Sequence, residues 1–200
     1  VNKANFIHIL KGEENAVKGI GSGRVLHTTA KDNIFLNFVD HGSPGILQFP
    51  SEEIMADELI AVLEILHKQQ RYSKMLIYVE ACHSGSMFER LPDDWNIYVN
   101  TAAKGSEVSY AAYCPPLHAF RGDDDIQACL GDVFQLGWMT AIENLHGGQE
   151  SMSIEFDQVK KVTDESTVSE FGTLDIKEME TSFFFGPGVI LPKVVPTLFT

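Results

Sequence analysis

The 200-residue sequence has no run of about 18 apolar residues, so it encodes no helical membrane span. It is poor in basic charge. Fifteen Lys and Arg face 28 Asp and Glu, a formal net charge of −13. No basic stripe is present that could track a phosphate backbone, which excludes nucleic acid as a partner. Cysteine is scarce: Cys82, Cys114 and Cys129 are the three, and none sits in the close-spaced pair of a structural zinc site. There is no Asn-x-Ser/Thr sequon and no internal repeat. Val1–Leu10 is interrupted by Lys3, Asn5 and His8, so no secretory signal is visible there. What remains is a globular composition, 44% hydrophobic and 22% charged. The length suits one large domain, or one domain plus a tail. Acidity serves solubility, and it also suits an acidic compartment, where protonation relieves self-repulsion.

Apolar patterning alternates between strand and helix periods. Asn5–Gly12 reads as the end of a helix closed by Gly12. Gly19, Gly21 and Gly23 resemble a phosphate cradle only superficially, since no Lys-Ser/Thr pair follows. Residues 34–39 (IFLNFV) are a buried strand, and 46–49 a shorter one after the Ser43-Pro44-Gly45 turn. In 55–70, Leu59, Val62, Leu63 and Leu66 recur at helical spacing. Residues 74–80 (KMLIYVE) form the next buried strand, which implies a parallel pair with a right-handed crossover. A third main strand is expected over 96–103 and helices over 130–145 and 153–162. Trp138 and Phe134 belong to the core. From Gly172 the pattern loosens, and 173–200 reads as a tail or linker after a domain of residues 1–172.

Two strands end in chemistry-bearing residues. The first runs into Asp40-His41-Gly42-Ser43, the second into Glu80-Ala81-Cys82-His83-Ser84-Gly85. In a parallel α/β sheet ligands sit beyond the carboxyl ends of the strands, so neighbouring strands put His41 and Cys82 on one rim. A thiol becomes a good nucleophile when an imidazole favours its thiolate or takes its proton. Gly42 and Gly85 permit close backbone approach, and the amides of Gly42 and Cys82 can face a developing oxyanion. The Ala-Cys-x-x-Gly run is a variant of the caspase signature Gln-Ala-Cys-x-Gly, which also has its His upstream. A zinc site from His41, Cys82 and His83 is the weaker alternative. Three cysteines suggest a pair plus one spare thiol, and counting does not settle which.

The segments NFVDHGSPGILQFP, MLIYVEACHSGSMFERLP, NIYVNTAAKGSEVSYAAYC, CLGD and NAVKGIGSGRVL make the resemblance specific. Over about residues 5–172 the chain resembles the legumains, the asparaginyl endopeptidases of the clan that also holds the caspases. The resemblance implies a caspase-like three-layer α/β/α fold with a mostly parallel central sheet. It implies His41 as general base, Cys82 as nucleophile, and an oxyanion hole from Gly42 and Cys82. Glu80, Ser109 and Asp132 match the acidic and hydroxyl side of a P1 pocket that selects Asn, and Asp at lower pH. Asp40 matches a position that forms a succinimide in relatives. Cys114 and Cys129 match a disulfide of plant-type legumains, which argues for an oxidising secretory route. The implied setting is a lysosome or vacuole, or secretion. The implied partners are protein or peptide substrates with Asn or Asp at P1 and cystatin-type inhibitors. No cofactor and no metal are called for.

The sequence also departs from the family. Members carry a preceding segment with the first sheet strand, an Asn that contacts the catalytic His, and an Arg-His pair on the basic side of the pocket. These 200 residues hold no equivalent, so the sheet is expected to lack its first strand. The helical C-terminal prodomain of a zymogen is not in the sequence either. His83 replaces an acidic residue, and a protonated imidazole there favours thiolate. Val108 replaces a hydroxyl residue beside Ser109. Three other readings stand beside the protease: a peptide asparaginyl ligase, a truncated inactive binding module, and the related GPI-transamidase subunit, which Glu80 and Ser84-Gly85 fit less well. Arg121-Gly122-Asp123 is an exposed-loop tripeptide. His8, His27, His67, His118 and His146 show no pairing pattern.

Overall fold

The computed structural model describes residues 1–115, 128–144 and 149–186. Pro116, His118, Arg121-Gly122-Asp123 and His146 lie outside the described residues. The chain opens with helix α1 (Lys3–Lys11), where the Asn2 side chain accepts from the Asn5 amide at 2.8 Å. Gly12 ends it at φ 73°, its amide bonding back to the His8 and Ile9 carbonyls. Strand β1 (Asn33–Val39) follows, then the short strands β2 (Gly42–Ser43), β3 (Ile46–Gln48) and β4 (Glu53–Met55). Helix α2 (Ala56–Lys68) leads to β5 (Lys74–Glu80) and β6 (Ile97–Thr101). A two-stranded ribbon, β7 (Ala111–Ala112) with β8 (Gly131–Asp132), precedes helices α3 (Val133–Asn144) and α4 (Met152–Val162). Strand β9 (Ser169–Gly172) and the short helix α5 (Ser182–Phe185) complete the described chain.

The main sheet runs β1-β5-β6-β9, with the first three strands parallel and β9 antiparallel. Side chains of β5 alternate between two cores. Met75, Ile77 and Val79 join Leu59, Leu63 and Leu66 of α2 on one face. Leu76 and Tyr78 join Phe134 and Ala141 of α3 and Phe156 and Val159 of α4 on the other. Burial on both faces is why KMLIYVE reads as a near-continuous apolar run. The result is the expected three-layer α/β/α arrangement. Among the described residues nothing pairs with the outer edge of β1, and Asn37 and Val39 on that strand are exposed. Leu63 is fully buried, so Leu63→Ala should cost about 2–5 kcal/mol. A denaturant midpoint unchanged in the variant would contradict this packing.

The short strand expected over 46–49 is present as β3, within a small antiparallel sheet, β2-β3-β4. Three other local expectations differ from the structure. The third main strand is shorter than 96–103, because its ladder ends at Thr101. The helix expected over 130–145 starts only at Val133, because Gly131 and Asp132 pair with β7 instead. The stretch read as a tail from 173 packs on the sheet as far as it is described. Ile176, in the 3₁₀ turn Leu174–Glu178, is buried, and the Phe185 ring lies 4.7 Å from Phe35 and 6.0 Å from Trp138.

One ionisable group is locked between α4 and the sheet. Glu155 is fully buried and accepts from the Tyr78 hydroxyl at 2.8 Å, while its Oε1 has no partner among the described residues. Burial pushes its carboxyl up to about 8, with the Tyr78 hydrogen bond pulling the other way. The folded chain therefore holds a proton here that the unfolded chain releases in the ordinary carboxyl range. The stabilisation is complete below that range and is lost as pH rises towards about 8, a difference on the order of a few kcal/mol. Melting should occur at higher temperature near pH 5 than near pH 8, and Glu155→Gln should flatten the slope. A steeper slope in the variant would refute the assignment.

Candidate active site

Strand pairing builds the site. Along β1 and β5 the register closes with Val39 opposite Glu80. The Asp40 amide continues the ladder to the Glu80 carbonyl at 3.2 Å. His41 and Cys82 then stand each two residues beyond that last pair, on adjacent parallel strands about 5 Å apart. Gly42 is pressed against the second loop, so that a methyl group there would collide with the Cys82 carbonyl oxygen. Gly85 is pressed likewise against the 103–105 backbone, where an added methyl group would lie 2.9 Å from the Gly105 nitrogen. Both glycines are thus required by close approach rather than by unusual dihedrals. The two loops are tied together through Ser86. Its Oγ accepts from the Gly45 amide at 2.7 Å and donates to the His83 carbonyl at 2.6 Å.

Cys82 is half-buried, the free cysteine among the described residues, and His41 is exposed on the same rim. The Cys82 thiol points to the Ser109 carbonyl at 3.8 Å, and the Ser109 hydroxyl to the sulfur at 3.9 Å. His83 takes a left-handed backbone, φ 56°. Its amide donates to the Glu107 carbonyl at 2.7 Å, and its Nδ1 lies 3.0 Å from the Gly105 carbonyl, the partner to which it donates. His83 therefore anchors the Cys82 turn on the 105–107 segment. Asp40 Oδ1 accepts from the His41 amide at 2.7 Å. The nitrogen that would close a succinimide ring on Asp40 is the one its carboxyl already touches.

Beside the sulfur lies an acidic recess. Glu80 is buried, one oxygen accepting from the Gln135 amide at 2.8 Å at the start of α3, the other without a partner among the described residues. Burial, reinforced by the neighbouring Asp132 carboxylate, pushes Glu80 up to about 8, against the pull of the Gln135 amide and the nearby Ser109 hydroxyl. Asp132 is raised too by burial, with His41 pulling it down. Asp132 is thus within electrostatic reach of both Glu80 and His41. Raised in this way, Glu80 is held as a neutral acid at acidic pH, and its Oε1 is buried without a partner among the described residues. A neutral acid can donate a hydrogen bond where a carboxylate such as Asp132 can only accept one.

The structure thus gathers Asp40, His41, Gly42, Glu80, Cys82, Ser109 and Asp132 at one end of the sheet. Cys114 and Cys129 are joined as a disulfide on the ribbon that carries Ser109 and Asp132. Gln135, Ser86 and Glu107 escaped the sequence reading. Their contributions use backbone groups or a common hydroxyl, for which no residue pattern exists. Among the described residues no group of three or more His, Cys, Asp or Glu is arranged to hold a metal ion. No described helix is long and apolar enough to cross a membrane.

Against this geometry the similarities to known proteins can be placed. The Peptidase C13 family model matches residues 1–187. The chain is 39% identical over 188 residues to legumain of Homo sapiens, and 37% over 187 residues to hemoglobinase of Schistosoma mansoni. It is 39% identical over 193 residues to the vacuolar-processing enzyme delta-isozyme of Arabidopsis thaliana. Each match takes in 93% of this chain, which spans only 41% of the relative's length. Among solved structures, caspase-1 from Spodoptera frugiperda superposes with a TM-score of 0.52 at 11% identity. That superposition covers 86% of this chain and 68% of the caspase, a likeness of fold alone.

Proposed function

The chain belongs to the peptidase C13 family, and from that premise we propose that it is the nucleophile-bearing part of an endopeptidase that cleaves after Asn, and after Asp at lower pH. The observation that carries the reading is the register of β1 and β5, which leaves His41 and Cys82 two residues past the same pair with Gly42 against the Cys82 carbonyl. His41 takes the thiol proton as Cys82 Sγ adds to the scissile carbonyl carbon. The Gly42 and Cys82 amides hold the oxyanion. His41 then gives its proton to the leaving amine, and a thioester remains on Cys82. Water, deprotonated by His41, opens the thioester and frees the thiol.

The pocket chemistry supports the choice of side chain. An amide presents a donor and an acceptor, and only a site offering both complements discriminates it strongly. Neutral Glu80 donates towards the side-chain oxygen and Asp132 accepts from the nitrogen. An Asp side chain fits the same pair only once it is protonated, which is why its cleavage needs lower pH. Asp40, with its carboxyl on the His41 amide, is the succinimide-forming position in this proposal. The setting we propose is an acidic compartment reached through the secretory route, a lysosome or vacuole, or secretion. The Cys114–Cys129 disulfide and the proton-holding Glu80 and Glu155 support that setting.

The test is to present the full-length protein at about pH 5 with peptides differing only in Asn, Asp, Gln or Ala at one position, and to weigh the products. Cleavage after Asn, with Asp gaining as pH falls, is expected. Cleavage indifferent to that residue, or none, would overturn the specificity. Products joined to an added amine would show that an amine competes with water for the thioester.

A further inference from the structure

The β7–β8 ribbon carries pocket residues yet has little of its own to hold it. Each strand is two residues long, with Ala111 opposite Asp132 and Ala112 opposite Gly131. Flanking bonds run from the Leu130 amide to the Ala112 carbonyl, 3.2 Å, and from the Val133 amide to the Tyr110 carbonyl, 3.0 Å. A two-stranded ribbon of this size is not stable alone. Among the described residues packing adds little, since Tyr110, Tyr113 and Leu130 are all exposed. Tyr113 even sits at φ 53°, a left-handed backbone that a tyrosine adopts only under constraint.

The two ends of the ribbon are held differently. At the inner end Ser109 meets the Cys82 sulfur, and the Gln135 amide meets Glu80. Two residues outward from the Ala112–Gly131 pair, on both strands, stand Cys114 and Cys129, joined to each other although 15 residues apart in the chain.

We propose that the Cys114–Cys129 disulfide is a positioning device for the P1 pocket, clamping the ribbon so that Ser109 stays against Cys82 and Asp132 stays beside Glu80. The inference rests on reading Glu80, Ser109 and Asp132 as the pocket wall. Opening the bond lets the outer ends separate and gain the entropy of an unclosed loop. The wall then loses its fixed spacing before the sheet beneath is touched. Cys129 is exposed and Cys114 half-buried, so the clamp is accessible to thiol reductants. A dithiol delivers two electrons and two protons to the S–S bond, leaving two thiols and becoming a cyclic disulfide itself. The pocket is therefore sensitive to redox conditions through a bond separate from the nucleophile.

The test uses the full-length protein carrying Cys82→Ala, which binds substrate without cutting it and leaves the clamp as its reducible bond in this segment. Affinity for an Asn peptide and for its Gln counterpart is measured with the disulfide intact, after reduction by dithiothreitol, and after reoxidation. Reduction should weaken the Asn peptide by about tenfold or more and narrow its advantage over Gln, and reoxidation should restore both. Far-UV circular dichroism should not change. Equal affinity before and after reduction overturns the clamp while leaving the function intact. An oxidised protein that never prefers Asn overturns both. In the active enzyme, Cys114→Ser with Cys129→Ser should raise KM far more than it lowers kcat. Global unfolding on reduction and in this variant alike would also refute the proposal, because a local clamp spares the sheet.

Discussion

Cys82→Ala is expected to lower hydrolysis of an Asn peptide by the full-length protein by at least about ten-thousand-fold. The proposed thioester route passes through its sulfur, and a methyl group can neither attack a carbonyl nor hold an acyl group. Binding and the amide donors remain, so some acceleration over water should survive. The fold should tolerate the change, since Cys82 is only half-buried and its sulfur makes just long contacts with Ser109. His41→Ala should fall by a comparable factor, and the double variant by little more, because base and nucleophile act as one unit. Turnover of Cys82→Ala within a factor of about ten of the unaltered protein would end the assignment.

The second large effect is expected at a residue with no reactive group. Gly42→Ala should reduce kcat/KM by about a hundredfold. The added methyl would occupy the place of the Cys82 carbonyl oxygen and touch Ala81 Cβ at 3.1 Å. The loop bearing His41 must then move away from the loop bearing Cys82. Neither backbone can yield as a flexible side chain would, so the proposed base, nucleophile and one oxyanion donor all lose their spacing together. Stability should change less than rate, because the loops lie beyond the end of the β1–β5 ladder rather than within it. A variant with ordinary kinetics would show that the close approach of these loops is not needed.

Legibility followed length of pattern. The strand of residues 34–39, the helix around Leu59–Leu66 and the strand of residues 74–80 carry enough consecutive periodic residues to be read one by one. Together they place His41 and Cys82 on a common rim. The ribbon had no such signal. Two residues per strand contain no period, and Gly131-Asp132 sits beside a helical run that absorbs it on paper. β9 is antiparallel and pairs with β6 across a long separation, which no local pattern announces. The stretch after Gly172 is rich in turn residues, yet its Ile176 and Phe185 find apolar partners supplied by other elements.

By itself the sequence determined which chemistry is at hand: a thiol and an imidazole after two apolar strands, and glycines where backbones must meet. These are local properties, carried by residue identity and by the periods of strand and helix. Tertiary structure alone decided how the proposed pocket is built. Burial beneath the start of α3 pushes the Glu80 carboxyl up, Ser109 points at sulfur because the chain leading into a ribbon brings it there, and a disulfide joins that ribbon at its far end. Burial and the contact of distant segments belong to no single stretch of chain, so they appear only once the chain has folded.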